Sequence, residues 1–287
     1  MPNEQEESAK ERHHWIEEAL PSPLFSDQGT TLIVGDALEM LASIPTGAVD
    51  LVVTSPPYNI GKEYERPLPL NEYLEWCESW MASLYRVVKD TGAFWLNVGY
   101  VPVAGKGKAV PLSYLLSDKS PFFMIQEVVW NYGAGVAARN SFSPRNEKFL
   151  WFVKDLDSYT FNLDAVRDPN VKYPNQKKNG KLKVNPLGKN PSDVWQIPKV
   201  TSGANRSSKE RAPHPAQFPE ALIERVILAS SNSGDLVLDP FVGSGTTCAV
   251  ANRLKRASLG FEIQPNYASF AASRITEQIR RQSLPLE

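Results

Sequence analysis

The segment from Thr54 to Tyr58 combines residue types that could hold a planar ring bearing an amino group. Pro56 and Pro57 fix their φ angles and donate no backbone hydrogen bond, so they form a stiff loop that points its carbonyls outward. The Ser55 hydroxyl and the Pro56 carbonyl could accept the two hydrogens of an amine, and the ring of Tyr58 could stack on a planar base. Two prolines alone would indicate only a strand that ends in a turn.

A second segment, LVLDPFVGSGTT, places a glycine-rich turn between an apolar strand and a helix that opens at Thr246. Gly243 and Gly245 would let the backbone approach a ligand closely. The amides at the helix start, with the carboxylate of Asp239, suit a ligand that carries a carboxylate and an ammonium group. The lysine and the spacing of a phosphate-binding loop are missing. A lone Gly-Ser-Gly would indicate no more than a tight turn.

A carboxylate at the end of the next strand gives the glycine turn a second signal. Glu262 lies 23 residues beyond Asp239, where doubly wound folds hydrogen-bond a ribose diol. On its own, Glu262 would be an ordinary carboxylate at a strand end. The two signals together favour a ligand that resembles a nucleoside.

Alternating strands and helices must position these segments. A wide apolar stripe from Tyr73 to Val88 recurs at helical spacing, and the segments FFMIQEVVW and KFLWFV resemble an antiparallel pair of strands. The pattern predicts an α/β fold with a doubly wound, mostly parallel Rossmann-like sheet, an antiparallel edge hairpin and a loop-rich insertion. We divide the chain into four parts. Residues 1–28 form a flexible N-terminal arm, residues 29–165 the half of the α/β domain that carries TSPPY, residues 166–212 the loop-rich insertion, and residues 213–287 the half that carries the glycine turn.

Composition excludes several classes of protein. The net charge of −1 does not indicate a generally basic nucleic-acid binder, so any basic surface must be local. Cys77 and Cys248 lie far apart without the spacing of metal ligands, and we expect neither a disulfide scaffold nor a metal site. A polar N-terminus without the apolar core of a signal peptide, and the lack of a membrane-length apolar run, favour a cytoplasmic protein.

One interval is strongly basic. Between Arg167 and Arg211, eleven basic side chains stand against three acidic ones, a net charge of +8. A solvated charged loop is the simplest interpretation, but a clamp for phosphates is the functional alternative. The residues that would form such a clamp are Lys177, Lys178, Lys181, Lys183, Arg206, Lys209 and Arg211.

Together these motifs make the chain similar to the amino-methylating DNA methyltransferases of the beta group. In that family a catalytic [DNS]-PP-[YFW] motif precedes an F-x-G-x-G cofactor motif, as TSPPY precedes PFVGSG here. The resemblance also covers VGDALEML, GFEI and HPAQFPEALIERVI, and extends from Thr31 to about Ile279. In SPRNEKFLWFVK, another segment of the family, Asn146 stands where histidine is common.

The resemblance implies S-adenosyl-L-methionine as the cofactor. It assigns catalysis to Ser55, Pro56, Pro57 and Tyr58. It also implies that the basic region, residues 166–212, binds DNA and carries target recognition. The cofactor-binding residues that it implies, with those of the glycine turn, are Asp36, Ala37, His214, Phe218, Asp239, Pro240, Phe241, Gly243, Ser244, Gly245, Thr246, Glu262 and Ile263.

The implied reaction is methyl transfer to an exocyclic amine of a base that has been flipped out of double-stranded DNA. A serine before PPY is mostly associated with cytosine, so the 4-amino group of cytosine is our first expectation and the 6-amino group of adenine the alternative. An RNA or protein-amide methyltransferase and an inactive binding module are further alternatives. No cysteine nucleophile is needed. A homodimer and a cognate restriction endonuclease are the partners that the resemblance suggests, and no membrane is involved.

Overall fold

The computed structural model describes residues 13–63, 65–135, 137–200, 206 and 208–283, except the side chains of Lys209 and Ser283. Its α-helices are α1 (Trp15–Ala19), α2 (Ala37–Ser43), α3 (Leu70–Val87), α4 (Leu112–Leu116), α5 (Glu220–Ser230), α6 (Thr246–Arg253) and α7 (Pro265–Ser283). Short 3-10 helices span Ser117–Lys119, Leu163–Val166 and Ser208–Glu210.

The strands are β1 (Phe25–Asp27), β2 (Thr30–Val34), β3 (Val49–Thr54), β4 (Val88–Val98), β5 (Tyr100–Val103), β6 (Gly107–Pro111), β7 (Phe123–Asn131), β8 (Asn146–Val153), β9 (Lys177–Lys178), β10 (Lys181–Leu182), β11 (Val194–Gln196), β12 (Leu236–Asp239) and β13 (Ala257–Glu262). Nine of them form one sheet in the order β1-β2-β13-β12-β3-β4-β8-β7-β11. The pairs β5/β6 and β9/β10 form separate hairpins.

The centre of the sheet is parallel and contains a switch point. Strands β2, β13, β12, β3 and β4 run in one direction. Strands β3 and β12 are neighbours in the sheet. The chain leads from β3 to β4 on one side and from β12 to β13 on the other side, so the strand order reverses between β3 and β12. Ligands of doubly wound sheets bind at the carboxyl ends of the strands where the order reverses in this way. The predicted mostly parallel α/β sheet is therefore confirmed.

Side chains alternate between the two faces of the sheet, as the pleat requires. In β4, Phe94 and Leu96 pack on one face in a cluster that includes Trp80 and Leu84 of α3. Trp95 points to the opposite face, where α5 closes a second cluster. Helices thus cover both faces of the sheet, and a ligand can reach the sheet only at its rims.

The strands predicted as an antiparallel pair, β7 and β8, are paired in that way. A further strand lies outside them, because β11 pairs with β7 in parallel. The sequence pattern predicts residues 166–212 to be loops with little core. In the structure Trp195 of β11 is 7% exposed and stacks on Trp95 with ring centroids 5.9 Å apart. Ile197 and Val200 are buried as well. This apolar stretch is too short to show a periodicity that would predict a strand of the sheet.

The expectation of a loosely attached arm over residues 1–28 is wrong for its second half. Ile16 and Leu20 are buried in the core cluster of the sheet, and β1 pairs antiparallel with β2. Charged residues surround these two apolar positions and concealed them in the sequence. Residues 1–12 lie outside the described part of the chain. Among the helices that the structure describes, none is both long enough and apolar enough to cross a lipid bilayer.

Candidate active site

A cavity of about 700 Å³ opens at the carboxyl rim of the parallel strands. That volume lies within the usual range of small-molecule sites, about 300–1,000 Å³. The predicted site residues that line it come from both motifs and from two further segments. They are Asp36, Ala37, Ser55, Pro56, Pro57, Tyr58, His214, Phe218, Pro240, Phe241, Gly243, Ser244, Glu262 and Ile263. The structure therefore brings the two distant motifs to one cavity.

The Ser-Pro-Pro-Tyr loop directly follows β3 and is held by a hydrogen bond from α3. Tyr73 of α3, only 3% exposed, donates its hydroxyl hydrogen to the carbonyl of Pro57 at 2.8 Å. Burial raises the pKa of Tyr73 far above its ordinary value, so this hydroxyl remains a donor. The loop is thus fixed by a hydrogen bond from a buried tyrosine as well as by its prolines.

The side chains of the loop are linked to each other. The hydroxyls of Ser55 and Tyr58 lie 2.9 Å apart, and either could be the donor. The Tyr58 hydroxyl also lies 3.2 Å from the carbonyl oxygen of Asn97. Gly99 leaves room for the Tyr58 ring, because a Cβ at that position would lie 3.1 Å from Cε2 of the ring.

Glu147, at the start of β8, is a cavity residue that the sequence motifs did not predict. Its Oε2 lies 3.3 Å from the Tyr58 hydroxyl and accepts a hydrogen bond from Nδ2 of Asn97 at 3.1 Å. Lys199 forms an ion pair with Oε1 at 3.6 Å, and its ammonium lies 3.8 Å from the ring centroid of Tyr132. Burial raises the pKa of Glu147, while Lys199 and Tyr58 act in the opposite direction.

The signal that could have identified Glu147 was present in the sequence. It lies inside the SPRNEKFLWFVK segment, directly after Asn146. In that segment the unusual residue is Asn146, whose side chain accepts a hydrogen bond from the Tyr100 hydroxyl at 2.7 Å. Lys199, which the sequence places only within the basic interval, also lines the cavity.

The glycine turn after β12 has the conformation that its residues predict. Gly243 and Gly245 have φ angles of 49° and 77°, in the left-handed region that favours glycine. A Cβ at Gly243 would lie 3.1 Å from the His214 ring, so the absence of a side chain lets the HPAQFP segment pack on the turn. His214 also packs edge-on against Tyr267 of α7 with ring centroids 4.7 Å apart. Burial lowers the pKa of His214 and favours its neutral form.

Glu262 joins the end of β13 to this turn. Its Oε2 accepts a hydrogen bond from the amide of Gly243 at 3.0 Å, and its Oε1 accepts one from the amide of Gln264 at 2.9 Å. Burial raises its pKa, and these amides act against the rise. A carboxylate has about four lone-pair positions, so two backbone donors leave capacity for the hydroxyls of a ligand.

Asp36 also lines the cavity, directly before α2. Its carboxylate caps that helix by accepting hydrogen bonds from the amides of Leu38 and Glu39 at 2.9 and 3.3 Å. The neighbouring residue Gly35 donates its amide hydrogen to the carbonyl of Glu262 at 3.1 Å. The hydrogen bond from Gly35 thus holds the VGDALEML segment beside Glu262, the residue predicted to bind the ribose.

Three residues that we predicted to bind the cofactor do not line the cavity. Asp239 is only 1% exposed and accepts hydrogen bonds from the Thr54 hydroxyl and the Phe241 amide. Gly245 packs against α7, since a Cβ there would lie 2.9 Å from Cβ of Ala271. The Thr246 hydroxyl accepts a hydrogen bond from Arg274 at 2.7 Å. These residues support the wall of the cavity from behind.

The predicted DNA-binding residues lie apart from the cavity lining. Lys177, Lys178, Lys181 and Lys183 are exposed, and the first three belong to the β9/β10 hairpin, whose turn contains Asn179 and Gly180 with positive φ. Arg206 and Arg211 are also exposed, whereas the Lys209 side chain lies outside the described part of the chain. The hairpin therefore presents its lysines to solvent.

Both cysteines are buried and free, as expected for packing residues. Burial raises the pKa of the Cys77 thiol to about 12 and also raises that of Cys248, so neither carries a reactive thiolate near neutral pH. Neither one lines the cavity. The described side chains include no cluster of three or more histidine, cysteine, aspartate or glutamate residues suited to a metal ion.

The cavity has the features that S-adenosyl-L-methionine requires. Glu262 would offer a carboxylate to a ribose diol, and Ala37 and Ile263 would give apolar surface for an adenine ring. Gly243, where a side chain would collide with His214, lets the backbone approach the methionine end. The residues present therefore fit this cofactor.

Comparison with known proteins agrees with the geometry. The family model described as DNA methylase matches residues 49–273. The chain is 64% identical over 260 residues to the type II methyltransferase M.ScaI of Streptomyces caespitosus, an alignment that covers 91% of this chain and 86% of that protein.

Solved structures of two DNA methyltransferases are similar to the fold. The PvuII DNA methyltransferase, described as cytosine-N4-specific, superposes with a TM-score of 0.69 at 24% identity and covers 90% of this chain and 94% of its own. A DNA modification methylase from Thermus thermophilus, solved with S-adenosyl-L-methionine, gives a TM-score of 0.61 at 25% identity and covers 86% and 93%. The chain therefore belongs to the DNA methylase family that acts on N6 of adenine or N4 of cytosine, and it is a DNA methyltransferase that uses S-adenosyl-L-methionine.

Proposed function

We propose that this enzyme methylates the 4-amino group of a cytosine that has been flipped out of duplex DNA. The observation that carries the proposal is the place of Ser55: its hydroxyl lies in the cavity, 2.9 Å from the Tyr58 hydroxyl, where an aspartate would introduce a charge instead. Serine in this position is the form that the family associates with cytosine. Adenine is the competing substrate.

The loop residues perform the positioning that the reaction needs. An exocyclic amine is a poor nucleophile, because its lone pair is delocalised into the ring. Ser55 and the Pro56 carbonyl accept the two amine hydrogens and so favour a nitrogen whose lone pair is localised. Because the loop is fixed by Tyr73, the nitrogen can be held in a near-attack geometry without a strong base.

The Tyr58 ring offsets part of the cost of removing the base from the duplex. Base–aromatic stacking contributes about 1–3 kcal/mol per base, against an unstacking cost of a few kcal/mol. S-adenosyl-L-methionine, when bound, supplies an electrophilic methyl group on a sulfonium. Glu262, the glycine turn and the HPAQFP segment would hold it beside the loop.

The exposed lysines of the β9/β10 hairpin bind DNA phosphates in this proposal, together with Arg206, Lys209 and Arg211. Their support is the net charge of +8 between residues 167 and 211 in a chain whose total is −1. The segment returns to the sheet at β11 and reaches the cavity at Lys199, so the clamp is connected to the catalytic side.

Identification of the methylated nucleoside tests the proposal. Duplex DNA is incubated with the purified enzyme and isotope-labelled S-adenosyl-L-methionine, then digested and examined by mass spectrometry. We expect N4-methylcytosine, with a matched Ser55→Ala variant giving much less product at unchanged cofactor affinity. N6-methyladenine would overturn the choice of base. Label confined to RNA or protein, or no label at all, would overturn the function.

We also propose that the enzyme protects DNA against a cognate restriction endonuclease. The support is its 64% identity with M.ScaI, a type II methyltransferase. Plasmid DNA treated with the enzyme should resist the endonuclease that is paired with M.ScaI, and unhindered cleavage would contradict this assignment. The homodimer stays a prediction, which sedimentation equilibrium can test.

A further inference from the structure

A row of oxygen atoms leads away from the proposed catalytic loop to a partly buried carboxylate. It runs from Ser55 Oγ to the Tyr58 hydroxyl at 2.9 Å, and from there to Glu147 Oε2 at 3.3 Å. The second contact is longer than the usual 2.7–2.8 Å of such bonds, and contacts of this kind tighten when a substrate is bound. All three side chains line the cavity.

The substrate amine at one end of this row and Glu147 at the other fix the direction in which the hydrogen bonds are donated. An amine that donates to Ser55 Oγ makes the serine hydroxyl turn its own hydrogen toward another acceptor. The Tyr58 oxygen is that acceptor, and Tyr58 then donates onward. Two acceptors compete for its hydrogen, the Asn97 carbonyl at 3.2 Å and Glu147. An ionised carboxylate is the stronger acceptor of the two.

We propose that Glu147 is a positioning residue for methyl transfer: through Tyr58 and Ser55 it supplies the negative charge that an aspartate in place of Ser55 would supply directly. The inference rests on the proposed function, in which Ser55 accepts an amine hydrogen. It explains how a neutral serine can serve where the chemistry favours a charged acceptor.

The transfer of protons along the row balances the reaction. The amine nitrogen forms a bond to the methyl carbon while the bond between that carbon and sulfur breaks, so the nitrogen gains a positive charge and the donor leaves as a neutral thioether. The nitrogen gives one proton to Ser55 Oγ, Ser55 gives its own to the Tyr58 oxygen, and Tyr58 gives its own to Glu147 Oε2. The products are a neutral methylated amine and a protonated Glu147.

The surroundings of Glu147 keep its carboxylate available. Lys199 from the basic segment pairs with Oε1, and Asn97 from β4 donates to Oε2. Tyr100 and Tyr132 also face it; burial raises their pKa values, and the negative charge of Glu147 adds to the rise. Burial raises the pKa of Glu147 itself. Such a carboxylate takes up a proton more readily than an exposed glutamate does, and it accepts hydrogen bonds fully only when it is ionised.

Single-turnover methyl transfer by the full-length enzyme on duplex DNA tests the proposal, with Glu147→Gln, Tyr58→Phe and the double variant. Each single change should lower the rate by about 100-fold, the lower end of general acid–base effects, while affinities for S-adenosyl-L-methionine and DNA stay close to wild type. The double variant should be no slower than the slower single one, because both remove the same path. The matched control is Glu127→Gln, a carboxylate of β7 that pairs with Lys148 outside the cavity.

The pH profile separates this role from a structural one. The wild-type rate should fall as the pH decreases through the raised pKa of Glu147, because the protonated carboxyl no longer accepts from Tyr58. Glu147→Gln should lose that acidic decline. A Glu147→Gln variant with the wild-type rate and profile would overturn the proposal, as would independent, multiplying losses in the double variant.

A second variant guards against misfolding. The double variant Ser55→Asp/Glu147→Gln should transfer methyl groups at least tenfold faster than Glu147→Gln alone, because the charge then lies next to the amine. If the folded double variant gains nothing, the proposal fails. Failure of the proposed function looks different: the wild-type enzyme would then methylate no DNA. Transfer to adenine would change the base but leave the same test of the row.

Discussion

The hydroxyl of Thr54 donates a hydrogen bond to Oδ1 of Asp239 at 2.6 Å, between residues 185 positions apart in the sequence. Thr54 is the last residue of β3 and Asp239 the last residue of β12, and the two strands are parallel neighbours. The proposed catalytic loop begins after one of them and the proposed cofactor-binding turn after the other. This buried bond therefore sets the relative position of the two halves of the active site.

The first prediction concerns the protonation of Asp239. Burial raises its pKa from 3.8 to about 6, so the native state binds the proton more tightly than the unfolded chain does. That contribution to stability is complete below the ordinary pKa and is lost as the pH rises through about 6. Between about pH 4 and pH 7, wild-type stability should fall relative to Asp239→Asn by up to roughly 3 kcal/mol.

Guanidinium unfolding at several pH values measures this difference. A gap between wild type and Asp239→Asn that does not change with pH would contradict the prediction. Asp239→Ala serves as the comparison, since it removes the acceptor of a buried hydroxyl and should cost about 1–3 kcal/mol near neutral pH.

The second prediction concerns Glu262 and cofactor affinity. Glu262→Gln keeps the size of the side chain but removes the charge that a ribose diol would bind. Hydrogen bonds to charged groups contribute about 1.5–3 kcal/mol, so the dissociation constant for S-adenosyl-L-methionine should rise roughly 10- to 100-fold. Titration calorimetry measures it. Glu39→Gln, an exposed carboxylate of α2, is the control, and equal affinities in both variants would refute the assignment.

The third prediction concerns the ring of Tyr58. Tyr58→Ala removes both the stacking surface and the hydroxyl, so methyl transfer should fall by more than the roughly 100-fold expected for Tyr58→Phe. Cofactor binding should remain close to wild type, because Glu262 and the glycine turn stay in place. Quenched-flow rates together with calorimetry test both statements. Equal losses in the two variants would show that stacking contributes nothing to the rate.

The fourth prediction concerns the salt dependence of DNA binding. Replacing Lys177, Lys178, Lys181 and Lys183 by glutamine should reduce the slope of log affinity against log salt by about 0.9 for each phosphate that is no longer neutralised. Fluorescence anisotropy of a labelled duplex gives the slope. Lys255→Gln is the control, because this exposed lysine precedes β13 at the opposite rim of the sheet. A slope that stays the same would move the clamp elsewhere.

The fifth prediction follows from the ion pair between Lys199 and Glu147. Removing the ammonium in Lys199→Gln takes away a charge that lowers the pKa of Glu147, so that pKa should rise further. The acidic decline of the transfer rate should then shift toward higher pH. Lys148→Gln, whose partner is Glu127, should leave the profile unchanged. A shift toward lower pH in Lys199→Gln would have the wrong sign.

The sequence was sufficient to predict the sheet and the meeting of the two motifs, because parallel strands put their carboxyl ends at one rim. It was not sufficient for Asp239, whose residue type and position fit a ligand contact as well as the buried bond to Thr54. The sequence did not predict Glu147 as a site residue for a related reason. Its relation to Tyr58, 89 positions earlier, exists only because β8 pairs antiparallel with β4. Pairings between distant strands leave no local pattern.

The loops of the basic interval are anchored on both sides. Before them, the Asn162 amide donates a hydrogen bond to the carbonyl of Ala229 in α5 at 2.7 Å, and after the β9/β10 hairpin the chain joins the sheet as β11 beside β7. Since the entropy of closing a loop grows only slowly with its length, insertions between these anchors cost little stability. Relatives could therefore carry a different stretch here and recognise a different DNA sequence, while the cavity in which methyl transfer occurs stays the same.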